Sequence, residues 1–205
     1  IGKPLPIEKI NEMVPDLVKQ SKPDGFQDFA ESILTTDTIP KIISREGLLD
    51  GKKFKVIGIA KGAGMIHPNM ATWLGFIGTD IKVDTKILCD VLNKANEKSF
   101  NRITVDGDTS TNDTVLLLSN SKSGAYDKAA FKEALFKVMH FLALEMVRDG
   151  EGATKLVTYK ITGAKDDTDA EVAAKALSDS LLVKTALFGE DPNWGRIAST
   201  IGASG

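Results

Sequence analysis

Three consecutive stretches decide the fold: Phe54-Lys-Val-Ile-Gly-Ile-Ala60, then Lys61-Gly62-Ala63-Gly64-Met65-Ile66-His67-Pro68-Asn69-Met70-Ala71-Thr72, then Trp73-Leu-Gly-Phe-Ile77. The outer two are short apolar runs and read as buried strands. The middle one is a glycine-rich, proline-containing turn. Such a turn, held between rigid strands, brings backbone and side chains up to a ligand. It is not a phosphate cradle. A P-loop has its lysine after the glycines, and here Lys61 comes first; a dinucleotide loop needs a third glycine where His67 stands.

The turn ends on Thr72, after the small Ala71. A threonine hydroxyl is a weak nucleophile without a base. One solution is to free the threonine's own α-amine by cutting the chain before it. That amine has a pKa of about 7.7–8.0 and accepts a proton near neutral pH. The bland alternative is a β-branched strand residue. Lys61 is the cation of this apolar neighbourhood. It reads either as a lysine snorkelling from a strand end or as a partner for a substrate carboxylate. His67 reads as a turn residue, because the threonine's amine leaves it no necessary role as a base.

Upstream, residues 6–19 carry Ile7, Ile10, Val14 and Leu17 at helical spacing, with Pro15 expected to kink or divide the helix. A short helix over 24–34, capped by Asp24, leads to Thr35-Thr36-Asp37-Thr38. Polar residues at a helix end are commonly capping chemistry. Residues 40–46 read as a strand, and Asp50-Gly51-Lys52 as a hairpin turn into the Phe54 strand.

Downstream, Asp84 caps a helix over 85–98, with Cys89 on or near its buried side. Ile103-Thr104-Val105 reads as a short strand entering Asp106-Gly-Asp-Thr-Ser-Thr-Asn-Asp113. That loop is no calcium site: its sixth position is Thr111 and its twelfth Leu117. Val115–Leu118 reads as a strand buried on both faces. A long helix over 127–149 has Phe131, Leu135, Val138, Phe141, Leu142 and Met146 inward, with His140 packed among them. Glu151 follows between two glycines, as a turn residue or a ligand group. Residues 156–162 alternate as a strand, 166–182 form an amphipathic helix and 182–187 a further strand. Residues 188–196 read as a loop whose Arg196 and acids pair, and 197–205 as helix or turn.

Composition narrows the class. The 205 residues are 42% hydrophobic and 26% charged, as in soluble globular proteins. A net charge of −2 makes no electrostatic case for nucleic acid or an anionic membrane. One cysteine excludes an internal disulfide framework and fits a reducing compartment. No apolar run approaches the ~18 residues that a membrane helix requires.

The Lys61–Thr72 segment resembles the self-cleaving segment of the ornithine acetyltransferase (glutamate N-acetyltransferase) family of arginine biosynthesis. Four more stretches agree in order: Thr35-Thr-Asp-Thr38, Asp106–Thr114, Gly150-Glu-Gly-Ala-Thr-Lys155 and Phe188-Gly-Glu-Asp-Pro-Asn-Trp-Gly-Arg196. The resemblance runs over essentially the whole chain and covers the middle of the family's usual length. It implies an α/β fold, a layered α-β-β-α sandwich of the self-processing N-terminal-nucleophile type. Residues 1–155 would be the catalytic core, and 156–205 the start of a smaller C-terminal α/β domain.

By the same resemblance, the chain is cut between Ala71 and Thr72, and Thr72 carries acetyl from N2-acetylornithine to glutamate. Thr35, Lys61 and Glu151 would hold substrate beside Thr72, with Thr36 the alternative to Thr35. The Asp106–Asp113 loop would pack near the nucleophile. No metal or bound cofactor is implied; acetyl-coenzyme A enters only as a substrate of bifunctional members. The expected assembly is a heterotetramer of cleaved chains, in the cytoplasm or, in a eukaryote, the mitochondrial matrix. The oxyanion donors would precede Ile1 and two more substrate residues would follow Gly205, so the 205 residues alone are expected to be nearly inactive. Trp73 stands where the family has methionine. An N-terminal-nucleophile aminopeptidase or amidase, or an uncut inactive homologue, are the alternative readings.

Overall fold

The computed structural model describes residues 2–49, 51–67 and 73–204. A four-stranded sheet in the order β1-β2-β3-β4 is formed by β1 (Lys41–Leu49), β2 (Lys52–Lys61), β3 (Leu74–Thr79) and β4 (Thr114–Ser119). The first two pairings are antiparallel and β3 runs parallel to β4. A parallel pair needs a crossover, supplied here by helix α3 (Thr85–Glu97) and a 3-10 turn at Phe100–Arg102. Asp84 caps α3 as expected, accepting from Lys86 N–H at 2.8 Å.

Helix α4 (Lys128–Arg148) lies across β1 and β2. Its Phe131, Leu135, Val138, Met139, Leu142 and Met146 are buried against Ile43, Phe54, Val56 and Ile77. Each such side chain contributes about 1.5–3 kcal/mol by leaving water. The approach is close because β2 offers Gly58: a Cβ there would lie 2.5 Å from Val138 Cγ1 and 2.8 Å from Leu142 Cδ1. On the opposite face, α2 (Phe26–Ser32) sets Phe29 edge-on to Phe76, with ring centroids 4.9 Å apart. Helix α1 (Ile7–Gln20) runs on through Pro15 without dividing. Its apolar residues Ile7, Ile10, Val14 and Leu17 are exposed.

Several local expectations are corrected. Helix α2 begins at Phe26 after Gly25, with no side-chain cap, so Asp24 does not start it. Ile103–Val105 forms no strand, although Val105 N–H donates to the Ile66 carbonyl at 2.8 Å. Val115–Leu118 is an edge strand rather than a fully buried one: Val115 and Leu117 touch the core, while Leu116 and Leu118 are 43% and 66% exposed. Cys89 and His140 are both exposed; His140 stacks on Phe136 instead of entering the core.

Residues 156–162 form no strand, against the expectation, and pair with none among the described residues. The helix expected over 166–182 is two helices, α5 (Asp167–Asp179) and α6 (Leu181–Phe188), and α6 replaces the strand expected over 182–187. Ser180 causes the break, since its hydroxyl accepts from Val183 N–H and starts a new helix. Helix α7 (Trp194–Gly202) follows. Arg196 bonds the Leu182 carbonyl and Thr185 Oγ1, not the nearby acids; Glu190 pairs with Lys155 at 3.0 Å instead. Among the described residues no helix is long and apolar enough to cross a membrane.

Candidate functional site

The turn after β2 carries the site. Ala71 and Thr72 lie outside the described residues, so the geometry given is that of the described residues on either side of them in the sequence and their partners. Lys61 is the last residue of β2 and only 9% exposed. Its ammonium donates to Thr35 Oγ1 at 2.8 Å. Of the two candidate threonines, Thr35 is the one joined to Lys61.

Glu151 reaches the same turn from the end of α4. Its N–H donates to the Ala63 carbonyl at 2.7 Å. Its carboxylate lies against Gly64, where a Cβ would sit 2.8 Å from the carboxyl carbon. A cation and an anion therefore flank one glycine turn, and Glu151 remains open to solvent. A cleft of about 710 Å³ opens beside Glu151 along residues 152–159. Its lining includes neither Thr35 nor Lys61, so the side-chain cluster, not the cleft, marks the site.

The turn is held by carboxylates. Asp106 accepts from Met65 N–H at 2.5 Å and from Ile66 N–H at 3.0 Å. This grip maintains Met65 at φ 55°, a left-handed conformation that costs a non-glycine residue energy. His67 Nδ1 lies 3.3 Å from Asp179 Oδ1 and 3.5 Å from Thr104 Oγ1. It links the turn to the end of α5.

Sequence reasoning missed the support under Lys61. Lys41, 1% exposed, places its ammonium 2.7 Å from Asp37 Oδ1 and 2.5 Å from Asp149 Oδ2. Asp37 Oδ1 also accepts from Gly62 N–H at 2.7 Å, and Asp149 accepts from the backbone and hydroxyl of Thr38. One buried cluster thus ties together the Thr35 loop, the starts and ends of two strands, and the end of α4 two residues before Glu151. Burial pushes the Asp37 carboxyl up, but the Lys41 ammonium, Gly62 N–H and Lys61 together hold it below the usual carboxylate range. Asp149 behaves likewise: burial raises it, and Lys41 and Thr38 bring it below its ordinary value. The available signal was a lysine opening an apolar strand four residues after an aspartate. A surface lysine looks the same in sequence.

Asp113, from the polar loop, is the reverse case. Its Oδ1 accepts from Trp73 N–H at 3.1 Å, yet burial raises its pKa to about 6. Among the described residues no group of three or more His, Cys, Asp or Glu side chains is arranged to hold a metal.

Known proteins with this sequence pattern are consistent with one another. The chain is 53% identical over 206 residues to an arginine biosynthesis bifunctional protein ArgJ of Wolinella succinogenes, covering 100% of this chain and 52% of that protein. It is 50% identical over 207 residues to the protein of that name from Ruegeria pomeroyi, covering 100% and 51%. The chain thus spans about half the length of the curated relatives it matches. A crystal structure of the arginine biosynthesis bifunctional protein argJ from Bacillus halodurans superposes with a TM-score of 0.59 at 45% identity, over 63% of this chain and 64% of that one. The ArgJ family model matches residues 1–205, and the chain belongs to the ArgJ family.

Proposed function

We propose that this chain carries the nucleophile of an acetyltransferase that moves acetyl from N2-acetylornithine to glutamate. The chain first cuts itself between Ala71 and Thr72. The Thr72 hydroxyl, with the new α-amine as its base, then attacks the acetyl carbonyl; an acetyl ester forms and ornithine leaves. Glutamate enters the same pocket and its amine takes the acetyl group, restoring the hydroxyl. Lys61 and Thr35 hold the substrate carboxylate, and Glu151 pairs with a substrate ammonium group. This chemistry calls on no metal or bound cofactor. The working unit is a heterotetramer of cleaved chains.

The observation that carries this reading is the opposed pair around one turn. The Lys61–Thr35 bond lies on one side, and the Glu151 carboxylate lies against Gly64 on the other. Such a bipolar frame suits an amino acid. The test uses the full-length natural protein mixed with N2-acetylornithine and glutamate. Formation of N-acetylglutamate, lost in Thr72→Ala, is expected. Release of acetate without acetylglutamate would mark an N-terminal-nucleophile hydrolase instead.

A further inference from the structure

Two bonds join the loop after α2 to the end of β2. One is the Lys61–Thr35 contact, and the other runs from Gly62 N–H to Asp37 Oδ1 at 2.7 Å. The bonded residues are neighbours on the strand side and two apart on the loop side. The second bond therefore fixes the spacing of the pair that makes the first. Gly62 stands at φ 148°, a backbone conformation that residues with a side chain rarely adopt. A Cβ there would lie 3.0 Å from Trp73 Cβ and 3.1 Å from Met146 Cε. No side chain of residue 62 can take over the hold, which falls to the backbone N–H and its acceptor.

Asp37 can hold this point because it is itself held. Its side chain is fully buried, and the same Oδ1 receives the Lys41 ammonium at 2.7 Å. Lys41 is fixed in turn at the start of β1 and by Asp149 at the end of α4. The other oxygen, Oδ2, is buried without a hydrogen-bond partner among the described residues. One oxygen thus makes both bonds. What the site takes from residue 37 is an acceptor at that point, not its charge: a substrate carboxylate arriving at Lys61 is repelled by a second carboxylate nearby.

We propose that Asp37 is the positioning residue for the carboxylate-binding end of the site. Through Gly62 N–H, its Oδ1 keeps the Lys61 ammonium and the Thr35 hydroxyl at the spacing at which both meet one substrate carboxylate. Lys61 spends one of its three donors on Thr35 and keeps two for the ligand. Asp37 touches no substrate and acts through the residues that do. The inference rests on the reading above, in which Lys61 and Thr35 hold that carboxylate.

The experiment measures steady-state kinetics for N2-acetylornithine on the cut, full-length natural protein, with urea unfolding alongside. Asp37→Asn can set its amide oxygen at the place of Oδ1 and keep both bonds, while it loses the charge that pairs with Lys41. It is expected to lower stability and to leave KM within about threefold of wild type. Asp37→Ala leaves Gly62 N–H buried without an acceptor, and is expected to raise KM about tenfold or more with kcat within about threefold. Where Asp37→Ala does not fold, Asp37→Ser, whose shorter side chain also withdraws the acceptor, takes its place. Lys61→Met is itself expected to raise KM. Adding Asp37→Ala to it is expected to raise KM by less than about threefold more, because the group being positioned is gone. An unchanged KM in Asp37→Ala overturns the inference. So does a KM that follows stability, rising as much in Asp37→Asn as in Asp37→Ala, or an undiminished effect of Asp37→Ala beside Lys61→Met. A KM that Lys61→Met leaves untouched overturns the underlying reading as well, so the two failures are distinguishable.

Discussion

At the scale of single residues, the buried charges oppose one another in their effect on stability. Lys41 is enclosed by two carboxylates whose pKa values are lowered. Removing it strands both. Lys41→Met is expected to cost about 3–5 kcal/mol in denaturant unfolding, and to weaken substrate binding because Gly62 and the Thr35 loop hang on Asp37. Depressed carboxyl pKa values give stability that is present above the unfolded value of 3.8 and lost as pH falls through the folded values. Asp113 has the opposite sign. Its pKa rises from 3.8 to about 6, so its contribution is fully present below 3.8 and lost as pH rises through about 6. In a Thr72→Ala background, where cutting cannot differ, Asp113→Asn is expected to stabilise the protein at pH 7.5 and leave it nearly unchanged at pH 3.5. Equal effects at the two pH values in urea unfolding would contradict this assignment.

At the scale of elements, the site depends on how closely α4 lies on β2, because α4 delivers Asp149 and then Glu151. Gly58 sets that distance. Gly58→Ala is expected to cost about 1–3 kcal/mol and to raise the KM for acetylornithine more than it lowers kcat. An unchanged melting temperature would show that the helix does not need the gap. Elements with strong patterning were legible in the sequence: β1 to β3 from apolar runs and turn residues, α3 from its spacing and its Asp84 cap, and α4 from its spacing. The last third of the chain was not. Leu182-Val-Lys-Thr-Ala-Leu187 has strand-like residues, but the Ser180 cap makes it a helix. Residues 156–162 have strand alternation but no neighbour to pair with among the described residues, and alternation alone does not make a sheet. Val115–Leu118 read as enclosed because its composition does not reveal that β4 is an edge. At the site, Thr35, Lys61 and Glu151 came from the resemblance, and their convergence on one turn is a finding of the structure. Lys41 was not read as buried, since one of its two partners, Asp149, lies 108 residues away in the chain.

At the scale of the whole molecule, the chain spans about half of its curated relatives, and its surface carries much apolar area. Leu5, Met13, Leu17 and Val18 on or near α1, Leu118 on the sheet, and Leu181, Phe188 and Trp194 in the last helices are all more than 60% exposed. Monomers rarely expose large apolar patches without covering them by a partner or another segment. The acetyl-transfer reading concerns the full-length protein, and the most direct measurement is made there. Intact mass and N-terminal sequencing of the purified wild-type protein and Thr72→Ala, beside an acetyl-transfer assay, are sufficient. Two wild-type polypeptides are expected, the second beginning at Thr72, with transfer activity, and a single inactive polypeptide for Thr72→Ala. An uncut wild-type chain that transfers acetyl at full rate would contradict this expectation.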